Sequence, residues 1–125
     1  MALPPNTQRF GNVMDPQEVL DYTLPCAPLL EIGESIDDFD ITPFAESIAL
    51  GLVILGDADG YEDPSIVETG QSIKIWFTID GAHENNVAFD DGGTDLPLQL
   101  HFSTDSDPVR ERDRAFILPV AQRGD

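Results

Sequence analysis

The sequence predicts an all-β protein: a single immunoglobulin-like β-sandwich of about seven strands, led by an extended N-terminal arm. Two observations carry this prediction. Short runs alternate apolar and polar residues with a period of two, most clearly between Gln71 and Val120. Turn-forming Gly, Pro, Asn and Asp separate those runs, and no helical period is sustained anywhere. Side chains of a strand point to alternate faces, so a period of two means one buried face and one wetter face. Regularly spaced strands of this kind, joined by turns, are the pattern of a small sandwich.

Two strands read directly from alternation. Ile73, Ile75, Phe77 and Ile79 alternate with Ser72, Lys74, Trp76 and Thr78. Leu96, Leu98, Leu100 and Phe102 alternate with Pro97, Gln99, His101 and Ser103, and Arg112 to Val120 closes the set. Upstream, Val19 to Leu24 places Leu20, Tyr22 and Leu24 on one face. Ser35 to Ile41 carries Asp on both faces, which suits a sheet edge where charge discourages further pairing. Ile48 to Leu55 is apolar on both faces and is expected to be a central strand covered on two sides. A short strand is expected at Ser65 to Glu68. The polar segment Gly81 to Asp95 reads as a long connection.

Residues 1–14, with two prolines, a glycine and no periodicity, are expected to form the arm, and residues 15–123 the sandwich. Phe10 and Val13 are the side chains able to anchor that arm. It would lie on a neighbouring molecule, strap its own domain, or stay disordered. Asp15-Pro16-Gln17-Glu18 has the residues to cap a helical turn before the first strand.

Composition excludes several functions. The 24 acids against six bases give a net charge of −18 over 125 residues. A surface this acidic repels phosphate, which excludes nucleic acid as a partner. The longest apolar run, Ile48 to Leu55, falls far short of the ~20 residues of a membrane span, and no signal peptide is expected. One cysteine, Cys26, permits neither an intrachain disulfide nor a cysteine metal cluster. With no base near it in sequence, it reads as a buried structural thiol.

Catalytic and cofactor sites are not expected. The acidic turn Asp57 to Asp63 offers several oxygens, but it departs from the spacing of a helix–loop–helix calcium loop and reads as a solvated turn. His83 and His101 are expected at the surface, and no phosphate loop, nucleophile elbow or zinc-protease motif is present. The candidate residues are for partner binding. Trp76 lies opposite the core-facing residues of its strand, where it either packs under a loop of its own domain or anchors a partner. Arg110, Arg112 and Arg114 gather three of the six bases. They either pair with acids of their own domain or form a docking patch for carboxylates.

Several of these segments resemble a family of small tailed-bacteriophage virion proteins described as fiber–tail adaptors, or as neck and head–tail accessory proteins. Asp15 to Leu24 (DPQEVLDYTL) resembles that family's opening strand, Asp-Pro-x-Glu-x-Leu-Asp-Tyr followed by Ser or Thr. Gly33-Glu34-Ser35-Ile36 is similar to its Gly-Asp-x-Ile turn, and Ile75-Trp76-Phe77 falls at its x-Val-Trp-Leu strand. Leu98 to Val120 resembles its closing hairpin, with Arg110 and Arg114 at the arginines and Phe116 at the aromatic position of Arg-x-x-x-Arg-x-Phe. The chain departs at Pro25-Cys26-Ala27-Pro28, where the family has a tryptophan-containing segment, and in the longer, more acidic Gly81–Asp95 loop.

The resemblance implies a structural module, repeated in a symmetric assembly, that joins virion proteins of the tail or neck without cofactor or catalysis. A capsid decoration protein of the phage head is the alternative expectation, since such proteins are also small acidic β-domains with N-terminal arms. A carbohydrate-binding or carbohydrate-active domain comes last.

Overall fold

A computed structural model of the chain describes residues 7–122. They form a β-sandwich of two sheets. One sheet is ordered β1-β8-β7-β3, made of Gln8–Arg9 (β1), Glu111–Val120 (β8), Thr94–Thr104 (β7) and Ile36–Pro43 (β3). The other is ordered β2-β6-β4, made of Val19–Pro25 (β2), Ser72–Ile79 (β6) and Leu52–Leu55 (β4), with Ser65–Val67 (β5) also paired to β6.

The alternation sets the packing as expected. Ile73, Ile75, Phe77 and Ile79 of β6 meet Leu96, Leu98, Leu100 and Phe102 of β7 in one core, all nearly or fully buried. Phe116, Leu118 and Val120 of β8 join them. Burying each such side chain contributes about 1.5–3 kcal/mol relative to leaving it in water, which fixes the register: a one-residue slip would expose the whole set. β3 is an edge strand, as its two-faced Asp pattern predicts, and pairs only with β7.

Two expectations are corrected, and one that was open is decided. The run Ile48 to Leu55 is not one central strand. Ala45–Ala49 forms a short helix (α1) that stops at Gly51, whose φ of +93° suits the position after a helix end. Only Leu52–Leu55 is strand, and it lies at a sheet edge, while Ile48 is 57% exposed. The apolar run spans two elements, so its apparent two-faced burial belongs to neither.

Of the alternatives open for the arm, its described residues follow the strap on their own domain. Gln8–Arg9 adds an eighth strand, parallel to β8, and the Phe10 and Met14 amides donate to Ile117 O and Pro119 O. Phe10 packs against Tyr22, Phe116 and Phe77, with ring centroids 4.7, 5.5 and 6.1 Å away. Met14 is fully buried. The boundary between residues 14 and 15 therefore falls inside one packed unit. Residues 1–6 of the expected arm lie outside the described residues.

The Gly81–Asp95 connection is structured rather than plain. A 3-10 turn at Val87–Phe89, capped by the Asn86 side chain accepting from the Ala88 amide, drives Phe89 into the core at 0% exposure. Glu18 caps the backbone of Asp15, whose amide donates to Glu18 Oε1 (2.8 Å), and Asp15 caps that of Gln17, whose amide donates to Asp15 Oδ1 (2.9 Å). They close a turn, and a strand follows.

Candidate functional site

β4 and β5 pair with successive parts of β6, and the excursion Gly56 to Pro64 between them closes over Trp76. Leu55 lies opposite Trp76 on the outer face, and Tyr61 packs against the indole with centroids 5.2 Å apart. Lys74 Nζ sits 5.7 Å from the ring. Trp76 is thus half-buried under a loop of its own domain. Its indole N–H is buried and meets no acceptor among the described residues. The acidic turn that covers it is held by its own carboxylates: Asp59 accepts from the Gly56 amide, while Asp57 and Asp63 accept from each other's amides. Among the described residues, no three His, Cys, Asp or Glu side chains are grouped to hold a metal ion.

The three arginines separate. Arg110 Nη1 lies 2.6 Å from Glu31 Oε1, and Arg110 Nε lies 3.3 Å from Glu34 Oε2. The Nε contact is coulombic, since its N–H is not aligned for a hydrogen bond. Glu34 is only 6% exposed, so this contact brings a buried carboxylate to a guanidinium. The Glu31 amide above all, then the Ser106 and Thr104 hydroxyls and the Arg110 guanidinium, hold the Glu34 carboxyl below the usual range against the opposing effect of burial. A turn makes this possible. The Glu34 amide donates to Glu31 O (3.0 Å), and Gly33 takes the φ of +84° that the third position of a type II turn requires.

Arg112 and Arg114 share a face of β8, opposite Phe102 and Leu100, while Asp113 takes the other face. Neither has a carboxylate partner among the described residues, and Arg114 donates only to the Asp113 carbonyl. They line no common site with Arg110. An open cleft bounded by Gln8, Pro28, Leu29 and Arg114 lies beside them. Phe10 is spent in the core of its own domain, and Val13 is half-buried over the β8 edge.

One cluster gave no readable signal in the sequence. On the open face of the β1-β8-β7-β3 sheet, His101 Nδ1 lies 2.7 Å from Asp113 and Nε2 lies 3.0 Å from Glu111. Cross-strand pairing puts Asp40 on its other side. The hydrogen bond to Asp113 first, then that to Glu111, raises the His101 pKa. Alternation placed His101 on the polar face, but only the β7–β8 register brings the two acids to it. Cys26 is fully buried, and burial pushes its thiol up to about 11.

No helix among the described residues is long and apolar enough to cross a membrane. Comparison of the chain with protein-family models and with curated proteins finds no match.

Proposed function

We propose that the chain is a structural protein of a tailed-bacteriophage virion, an adaptor that joins tail or neck components through protein–protein contacts and works in several copies within a symmetric assembly. The observation that carries this reading is the meeting of two resembling motifs. Glu34 holds the acidic position of the Gly-Asp-x-Ile-like turn, and Arg110 opens the Arg-x-x-x-Arg-x-Phe-like hairpin. The two lie 3.3 Å apart in one ion-paired unit. Short motifs match by chance when each stands alone. Two that are distant in sequence and joined in space support a resemblance that follows a structural unit. Under this reading the chain is a rigid connector whose partners are other virion proteins, with no cofactor, no catalysis, no nucleic acid and no membrane.

Shell decoration is the second reading, since decoration proteins are also small acidic β-domains with N-terminal arms; here Gln8 to Met14 lie on their own sandwich. Mass spectrometry of separated heads and tails from purified virions tests the proposal. The chain is expected in the tail or neck fraction. Recovery with heads alone favours decoration, and absence from virions removes the virion role.

A further inference from the structure

Three loops meet at one end of the sandwich, covering residues 26–35, 68–71 and 105–110. Ser35 fastens them. Its amide donates to Asp105 Oδ1 (2.8 Å), its carbonyl accepts from the Asp105 amide (3.0 Å), and its hydroxyl donates to Thr69 O (3.4 Å). The Glu31–Arg110–Glu34 contacts lock the first loop to the third. Glu68 and Thr69 both hold positive φ, 54° and 56°, a conformation that persists only where the surroundings impose it.

From this fastened base two apolar side chains project. Ile32 stands at the corner of the Glu31–Glu34 turn with 106% relative exposure, and Val109 beside Arg110 is 61% exposed. A single exposed apolar residue needs no explanation. An isoleucine held fully clear of its own domain, on a turn closed by a buried carboxylate, is a different case. The ordering that binding would demand is already in place, and preorganisation of this kind strengthens binding.

We infer that this end is a preformed docking tip that inserts Ile32 and Val109 into an apolar socket, rimmed by Lys and Arg, on a different protein. The chemistry of the rim follows from charge. Glu31, Glu68, Asp105 and Asp107 surround the tip with exposed carboxylates, and Arg110 is committed to Glu31 and Glu34. A second copy supplies that rim poorly. The chain has six bases against 24 acids, and among the described residues only Arg112 and Arg114 lack a carboxylate partner. An apolar anchor within a polar rim is the usual anatomy of an interface. The inference goes beyond the adaptor reading by naming a surface and its complement, and it does not require a virion.

The test is an amide-resolved NMR titration of the full chain with an amphipathic Leu/Lys helical peptide as the socket mimic. Shifts are expected on Glu31 to Ser35, Glu68 to Gly70 and Asp105 to Arg110. Ile32→Asp and Val109→Asp are each expected to weaken binding by about tenfold or more. They should leave the melting temperature unchanged, because both side chains are exposed. Since each adds a negative charge, simple attraction to lysine would strengthen instead, and a loss therefore reports apolar insertion. Replacing the peptide's Lys by Gln is expected to weaken binding; equal affinity overturns the basic rim. Shifts spread over Asp38, Asp40 or Asp57 to Asp63, or an Ile32→Asp chain binding as well as the parent, overturn the tip itself. Either failure leaves the virion location, measured separately, untouched.

Discussion

Replacing Phe10 by Ala removes a ring that contacts three others in the core. Truncating a buried Phe costs about 3–5 kcal/mol, because lost transfer energy adds to the cavity left behind. Aromatic partners at the observed 4.7 and 5.5 Å place Phe10 well inside that range, each such pair being worth about 0.5–1.5 kcal/mol beyond area burial. For a domain of this size, each kcal/mol lowers the melting temperature by roughly 3–5 °C, so a fall of about 10–25 °C is expected. Urea denaturation followed by far-ultraviolet circular dichroism gives the free energy, and a thermal scan gives the shift. Deleting residues 1–14 should destabilise at least as much, since Met14 goes too. An arm reaching a neighbour would instead leave the isolated domain's melting temperature nearly unchanged. A loss under about 1 kcal/mol for Phe10→Ala would refute this packing.

Other consequences can be checked together. Trp76→Ala should cost about 1–3 kcal/mol, less than a fully buried Trp because the indole is half-covered by Tyr61 and its loop. A urea midpoint unchanged from the parent would mean that the indole is spare and open to a partner. His101 is raised by Asp113 and Glu111, so its stabilisation is complete below the unfolded value near 6.5 and is lost as pH rises through the folded value. The urea midpoint should therefore fall as pH rises from about 6.5 through the folded value, and His101→Gln should flatten that fall. A slope equal to the parent's would show that other groups set it. Glu34 is lowered, so its contribution is present above about pH 4.5 and disappears as pH falls through the folded value. Arg110→Met should speed hydrogen exchange at the Glu31 and Glu34 amides by roughly tenfold or more, as the lock between the first and third loops opens. Unchanged protection would show that Ser35 alone fastens them.

Much of the fold was legible because alternation is a local signal that burial then enforces. Ser72–Ile79 and Thr94–Thr104 carry it over eight and eleven residues, long enough for the core face to be unambiguous. Ile48 to Leu55 misled because apolar character alone does not distinguish a helix end from a strand start, and Gly51 marked the break. Phe10 was read as an anchor, but its partner is its own core: parallel pairing of Gln8–Arg9 with Phe116 and Ile117 spans the whole chain. The site was less legible for the same reason. Arg110 and Glu34 are 76 positions apart (110 − 34), and His101 meets its acids only across a ladder. Sequence marked the residue types; long-range register decided their partners.

Electron microscopy of intact virions labelled with an antibody against the chain tests the proposal that it joins tail or neck components. Label is expected only at the neck or tail. Label distributed over the head shell, or none on the particle, would contradict it.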